Sequence, residues 1–271
     1  MLPIGRRRPG PDQTERAERV IVMSPAPVRD DGVMSVDLTG EMDDVAALGG
    51  FFGLATGPTE GADPSWRPFH TFTGDVLDQR VDQVAGQLGG APRRIAASLL
   101  SLSVSARVTA LVLGAGTLHG VVPRLHDRLR WRPWSGGPMP LWIERPEPAG
   151  RPADDPAALA DLAARELDAT LHPLLDAIGA QASVSSQVVL GNVASSLGGA
   201  LRILLTQRPD SSSGALALAV GILGQPPLAG LGEIVDEPSH PTGVGFARRT
   251  CCLFYRVPGG GTCGDCVLNA R

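Results

Sequence analysis

The sequence contains no lysine. All 24 basic residues are arginine, 28 residues are acidic, and the formal net charge is −4. Proteins that coat nucleic acid usually present a basic face, so this balance argues against that class and predicts no nucleic-acid partner. The exclusive use of arginine, together with abundant alanine and glycine, is typical of a GC-rich coding sequence, although arginine also favours planar contacts with anions.

Long apolar runs are also scarce. No apolar stretch follows the arginines at positions 6–8, so a cleavable secretory signal is not predicted and a cytoplasmic location is expected. The apolar window at residues 95–114 is interrupted by Arg107. A second window, at 214–224, is too short to cross the roughly 30 Å of hydrocarbon in a bilayer. No membrane span is predicted.

Helical patterns occupy most of the chain. Residues 74–88 have one apolar face, and residues 93–114 are apolar on most faces, which predicts a central buried helix. Asp155 and Pro156 provide a cap and a first helical position for a further helix, which Pro173 should kink or restart. A later helical pattern carries small residues at 194–199, which would let another helix approach closely.

The predicted fold class is mainly α-helical (α+β). It consists of a helical body with a few short strands, two of them between residues 121 and 146, and a small C-terminal loop module. Three segments follow from the composition. Residues 1–36 form an extension without sustained periodicity, residues 37–236 form the body, and residues 237–271 form the module.

The cysteines are few and lie close together: Cys251, Cys252, Cys263 and Cys266 are the only ones in 271 residues. They are too few and too localised for a secreted disulfide scaffold. Their spacing is two adjacent cysteines, ten residues, a cysteine, two residues and a cysteine. A disulfide pair, structural zinc and an iron–sulfur cluster are the three chemistries that compete for such a site.

The spacing favours iron and sulfide without excluding zinc. A redox disulfide between Cys263 and Cys266 would normally open a helix, whereas these residues lie in a glycine-rich loop. Zinc usually takes thiolate pairs separated by two to four residues. Adjacent side chains diverge, so Cys251 and Cys252 reach one ion only if the backbone turns sharply between them. A [2Fe–2S] cluster offers two irons and accommodates divergent sulfurs more easily.

The segment RRTCCLFYRVPGGGTCGDCVL, residues 248–268, resembles the C-terminal signature of the FhuF-like ferric siderophore reductases. In that family the same cysteine spacing holds a [2Fe–2S] cluster, so the resemblance implies Cys251, Cys252, Cys263 and Cys266 as its ligands. A Gly-Asn step with small residues after it, GNVASSLGGAL from Gly191, resembles the family more loosely.

The resemblance implies an enzyme of iron acquisition. It would perform one-electron reduction of a ferric siderophore, with a hydroxamate type suspected, and release ferrous iron in the cytoplasm. Because no phosphate loop or dinucleotide glycine fingerprint is present, the electron donor is expected to be a separate ferredoxin or flavoprotein. Arg248, Arg249 and Arg256 flank the cysteines and are candidate contacts for the substrate or the donor.

Two other readings stay open on the sequence alone. The first is a non-catalytic iron–sulfur or zinc protein, in which the cysteines pin the C-terminal segment or sense redox state. The second is a role in siderophore assembly, since the helical body is distantly similar to part of the siderophore synthetases. The lack of a nucleotide-binding signature counts against the second reading.

Overall fold

The computed structural model describes residues 36–151 and 155–269. In these ranges the mainly α-helical prediction is confirmed. The helices are α1 (Thr39–Ala46), α2 (Pro58–Gly61), α3 (Gly74–Gln87), α4 (Arg93–His119), α5 (Pro156–Ala182), α6 (Ser186–Gln207) and α7 (Ser212–Leu223). The strands are β1 (Ala55–Thr56), β2 (Arg67–Pro68), β3 (Arg130–Trp131), β4 (Leu141–Ile143), β5 (Gly232–Asp236) and β6 (Val244–Arg248). The prediction of an N-terminal extension lies, apart from Val36, outside the described residues.

Helix α4 is the centre of the fold, as its apolar sequence predicts. It packs against α6, α5, α3 and α1, and most of its side chains are buried. The helix ends where Gly120 adopts a left-handed conformation with φ of 67°, and the N–H of Gly120 donates to Gly116 O at 3.1 Å. Glycine adopts this conformation at no steric cost, which makes it a common helix terminator.

Helix α5 begins as predicted and continues further than predicted. The Asp155 carboxylate accepts a hydrogen bond from the N–H of Ala157 at 3.1 Å, and Pro156 occupies the first turn. The expected restart at Pro173 does not occur, because the helix runs on to Ala182. Leu171, Leu174 and Leu175 are buried on either side of the proline. Packing of this apolar stripe outweighs the lost backbone hydrogen bond.

Two helices, α4 and α6, are long and apolar enough to cross a membrane by length and composition. Their most apolar windows have mean hydropathies of 1.7 and 1.6, but 78% and 72% of the residues in those windows are buried inside the protein. This is the situation of two core helices whose apolar surfaces are already covered by protein. Within the described residues this burial favours two core helices, and the absence of a membrane span stays a prediction.

The strands form two small sheets. The first has the order β1-β4-β3-β2, with β1 parallel to β4 and the other pairs antiparallel. It contains the two strands predicted between residues 121 and 146. Trp131 of β3 is 1% exposed, and it packs edge to face on Phe72 with ring centroids 4.7 Å apart.

The second sheet is the hairpin of β5 and β6, which no sequence pattern predicted. Its register pairs Ile234 with Phe246 and Gly232 with Arg248. The hairpin packs against α6 and leads directly into the cysteine segment. The boundary predicted near residue 236 falls between its two strands, so the division into body and module stays a prediction, with one hairpin spanning it.

Candidate metal centre

The first cysteine pair follows β6 after two residues. Cys251 is half-buried and Cys252 is only 2% exposed. Leu253 has a φ of 69°, in the left-handed region that non-glycine residues seldom occupy, and the N–H of Leu253 donates to Cys251 Sγ at 3.3 Å. Both sulfurs could reach one ion only if the backbone turned sharply between Cys251 and Cys252. The structure places the reversal immediately after them, at Leu253.

The second pair spans a tight turn. The N–H of Cys266 donates to Cys263 O at 3.1 Å, which closes a β-turn over Gly264 and Asp265. The Asp265 carboxylate accepts a hydrogen bond from Ser195 Oγ of α6. The turn that carries these two cysteines is therefore attached to the helical body by its own acidic residue.

The two pairs meet at Cys252 and Cys263, whose sulfurs are 3.4 Å apart. The hydrogen bond between these thiols lowers the pKa of Cys252 to about 6 against the opposing effect of burial, and the Phe254 backbone N–H and the Arg248 charge lower it further. The same hydrogen bond, with burial, raises the pKa of Cys263. The lowered pKa of Cys252 favours its thiolate, which is the form in which sulfur binds metals.

The sulfurs of one cysteine from each pair are close enough to share one metal ion. Two thiolates on one tetrahedral metal, with bonds of about 2.3 Å, lie roughly 3.8 Å apart. The sulfurs of Cys252 and Cys263, 3.4 Å apart, are close to that separation. In the part of the chain that the structure describes, no three His, Cys, Asp or Glu side chains gather closely enough to hold one ion.

A buried polar network joins the cysteine segment to α4 and α6. Its members are Ser98 and Ser101 of α4, Asn192 of α6, and Arg248 and Thr250 of the C-terminal segment. Asn192 Nδ2 donates to Ser98 O and to Ser101 Oγ, both at 2.7 Å, while Asn192 Oδ1 accepts from Arg248 Nη2. Ser98 Oγ donates to Cys252 O at 2.9 Å. Because an unsatisfied buried polar group costs about 1–3 kcal/mol, the network favours one position of the cysteine segment.

Gly191 allows this segment to approach α6 closely. A Cβ at Gly191 would overlap Thr250 Oγ1 and lie 2.9 Å from Thr250 Cβ. Further along the same helix, a Cβ at Gly198 would lie 2.8 Å from the Phe246 side chain.

The small residues of α6 were predicted to admit another helix. This is confirmed, because α4 packs on α6 and Ser196 Oγ donates to Leu102 O of α4 at 3.0 Å. Gly191 and Gly198 also admit β6 and its continuation on another side of α6.

We expect Gly191→Ala to displace the cysteine segment and to lower the free energy of unfolding by about 1–3 kcal/mol, the usual cost of overfilling a packed site. Rotation of the Thr250 side chain cannot relieve the overlap, because Thr250 Cβ would also lie only 2.9 Å from the added Cβ of residue 191. Urea unfolding measures the stability, and the rate at which the metal-free thiols react with a thiol reagent measures the displacement.

Gly199→Ala is the matched control. A Cβ at Gly199 meets nothing within 4 Å, although the residue lies on the same helix. Alanine should stabilise that position by about 0.5–1 kcal/mol through its higher helix propensity. If the two variants unfold at the same urea concentration, Gly191 and Thr250 do not lie as close together as the structure shows.

The three flanking arginines have different surroundings. Arg249 is exposed and pairs with Glu233 at 3.3 Å, and the Arg256 guanidinium lies 5.7 Å from the centre of the Tyr255 ring. Arg248 is only 4% exposed. The prediction that Arg248 contacts the substrate or the donor is therefore corrected: its hydrogen bonds go inward, to Asn192 and Thr250.

Sequence reasoning missed several residues that position the centre. Ser98, Asn192 and Ser195 contact the cysteine segment although each is about 60 residues or more away in sequence. The one signal for them was the Gly-Asn step at 191–192, which the family resemblance singled out. The structure gives that step a physical reason, because Gly191 makes room for Thr250 and Asn192 binds Arg248.

The C-terminal segment also matches a known family. Residues 248–268 match the family model described as FhuF 2Fe-2S C-terminal domain. The matched range contains all four cysteines and Arg248. No curated protein matches the chain. The segment is thus an FhuF-type domain, as its resemblance indicated, and its cofactor is a [2Fe–2S] cluster.

Proposed function

We propose that this chain, which carries an FhuF-type 2Fe-2S C-terminal domain, is a cytoplasmic ferric siderophore reductase. We assign Cys251, Cys252, Cys263 and Cys266 as the cluster ligands. One observation carries the proposal: the turn that holds Cys263 and Cys266 is fixed by Asp265 to α6, at the edge of a groove on the helical body.

The chemistry is a transfer of one electron. When bound, the [2Fe–2S] cluster supplies single electrons, and ligation by cysteine alone keeps its potential low. Ferric iron is hard and is held tightly by siderophore oxygens, whereas ferrous iron is softer and exchanges faster. One electron given to the chelate therefore converts Fe(III) into Fe(II), which the siderophore releases.

The substrate site that we propose is the α6 groove, which consists of two adjoining depressions on the outer side of α6. One has a volume of about 190 Å³ and reaches Ser195 and Asp265 at the cysteine turn. The other, of about 610 Å³, extends towards Thr206 and His240. Gly199, Arg202 and Ile203 line both depressions. Small-molecule sites in proteins commonly have volumes of about 300–1,000 Å³, so the groove is large enough for a chelate.

The charges of the α6 groove favour a weakly charged chelate. Arg202 belongs to none of the ion pairs found among the described residues, and its guanidinium is free to donate to the outer oxygens of a chelate. Asp265 contributes the opposite charge at the cysteine end. Ferric hydroxamate chelates are close to neutral, whereas ferric catecholates are strongly anionic. A groove with one cation and one carboxylate therefore suits the hydroxamate type.

Electrons would enter through a separate basic surface. Arg249 and Arg256 lie before and after the first cysteine pair, and Tyr255 between them is 43% exposed. An acidic ferredoxin or a flavoprotein with an acidic face would be steered to these arginines, with an effect that weakens as salt is added. Cys251 and Cys263 are half-buried, so the centre is reachable from the surface.

A single-turnover experiment tests the proposal. Holo-protein is reduced anaerobically, freed of excess reductant and mixed with a ferric tris-hydroxamate in the presence of a ferrous-specific chelator. We expect the reduced-cluster EPR signal to disappear as ferrous iron is captured in a one-to-one ratio. If the chelate leaves the signal unchanged, the protein is not a reductase of that substrate class, and a structural or sensing role would replace the proposal.

Arg202→Gln tests the groove in the same experiment. Loss of one charge-assisted hydrogen bond, about 1.5–3 kcal/mol, should raise the half-saturating chelate concentration by tenfold or more. Arg165→Gln, on the exposed surface of α5, is the control and should leave that concentration unchanged. Equal saturation curves for wild type and Arg202→Gln would place the chelate elsewhere.

A further inference from the structure

Arg248 brings a positive charge into the interior of the protein. It is the last residue of β6, and only 4% of it is exposed. None of the ion pairs found among residues 36–151 and 155–269 includes it. A buried charge without a counter-charge costs several kcal/mol. Within the described residues Arg248 therefore has no carboxylate at ion-pair distance, and a bound anionic group could supply a counter-charge.

The guanidinium also has an unused donor. Nε donates to Thr250 O at 2.7 Å, and Nη2 donates to Asn192 Oδ1. Nη1 is buried and has no hydrogen-bond partner in the described structure. More than nine-tenths of buried polar groups have such a partner, so this exception requires an explanation.

The cysteine segment, which begins at Cys251, three residues after Arg248, could hold a group that satisfies both requirements. Arg248 and Cys252 belong to one buried network: Arg248 Nη2 donates to Asn192 Oδ1, Asn192 Nδ2 donates to Ser98 O, and Ser98 Oγ donates to Cys252 O at 2.9 Å. A [2Fe–2S] cluster held by cysteines is an anion whose sulfur atoms accept hydrogen bonds, and reduction adds one more negative charge. Bound there, it would supply the counter-charge and the acceptor that Arg248 lacks.

We propose that Arg248 directs its Nη1 donor and its positive charge at the bound [2Fe–2S] cluster and thereby raises the cluster's reduction potential. The reduced cluster is the more negative form, so a neighbouring fixed cation stabilises it more than the oxidised form. Asn192 and Thr250 hold the guanidinium in place, and Ser98 and Ser101 hold Asn192. This inference rests on the cofactor of the proposed function and does not depend on the substrate.

Arg248→Gln tests this role through the reduction potential. Holo-protein is titrated anaerobically with small redox mediators while the reduced-cluster EPR signal is recorded. We expect the equilibrium constant for reduction to fall about tenfold, which for a one-electron couple is a shift of 59 mV to more negative potential. Arg248→Lys keeps the charge and loses the planar donor geometry, so its shift should be smaller.

Arg249→Gln is the matched control, because it removes the same charge at the next position from an exposed ion pair. Its potential should stay within a twofold change in the equilibrium constant, since exposed charges are screened by solvent. A residue that only supports the fold would change cluster content and stability but not the potential of the cluster that remains. If Arg248→Gln retains the wild-type potential, the proposal is overturned.

A second measurement does not depend on Arg248→Gln and applies even if that variant fails to fold. Wild-type holo-protein is prepared with arginine carrying ¹⁵N only in the guanidinium, then reduced and examined by pulsed EPR. We expect a weak hyperfine coupling from a guanidinium nitrogen to the reduced cluster. Arg248→Lys, labelled in the same way, should lose it. The absence of any such coupling in the wild type would refute the contact, whether or not the protein reduces siderophores.

Discussion

Cys252→Ala should yield protein without a [2Fe–2S] cluster and without ferric reduction. Cys252 is one of the four proposed ligands, and its sulfur lies 3.4 Å from that of Cys263. The loss should exceed the roughly 10–100-fold in affinity that removal of an outer contact of a metal site costs.

Iron and acid-labile sulfide, measured on anaerobically purified protein, quantify that loss. Ser195→Ala is the appropriate comparison, because Ser195 contacts Asp265 rather than a sulfur, and that variant should keep its iron and sulfide. Two irons retained by Cys252→Ala would remove Cys252 from the ligand set. If the wild-type protein is instead colourless and contains zinc, the site is a structural zinc site and the cluster assignment is wrong.

Arg107→Met should lower the free energy of unfolding by about 3 kcal/mol or more. Arg107 is buried on α4, and its guanidinium donates to Met139 O at 2.9 Å, to Gly50 O at 3.2 Å, and to Phe51 O and Gly53 O. Burial lowers its pKa to about 10, so it is still charged at neutral pH. Each carbonyl left without a donor costs about 1–3 kcal/mol.

Urea unfolding of the holo-protein measures this effect, with Arg94→Met as the control. Arg94 is exposed near the start of the same helix, so its replacement should change the stability by less than about 0.5 kcal/mol. A loss at Arg107 of no more than 1 kcal/mol would show that water reaches these carbonyls. The loops at 50–53 and 139 would then not depend on α4 for their hydrogen bonds.

Local patterns were sufficient for the helices. Apolar periodicity predicted α3 and α4 closely, because burying an apolar face dominates the stability of a helix. Asp155 and Pro156 marked the start of α5 because a cap is a short-range interaction. The restart allowed for at Pro173 does not occur, since the cost of one backbone hydrogen bond was visible in the sequence while the compensating burial of Leu171 and Leu174 was not.

Local sequence patterns could not predict the β5–β6 hairpin or the buried contacts that hold the cysteine segment in place. β5 and β6 are short and lie among glycines and prolines, and their pairing is specified by packing Phe246 against α6. Arg107 interrupted an apolar run in the sequence, but its four carbonyl partners come from loops that only the fold brings together.

The sequence by itself determined the kind of cofactor, because metal ligation requires particular side chains at a particular spacing. Here that requirement is met within sixteen consecutive residues, which contain all four cysteines. Only the tertiary structure decided how that site is held and reached. It turned Arg248 inward to Asn192, let Thr250 settle against Gly191, and set the cysteine turn beside the α6 groove. These contacts join residues far apart in sequence, and their energies arise only when the helices are packed.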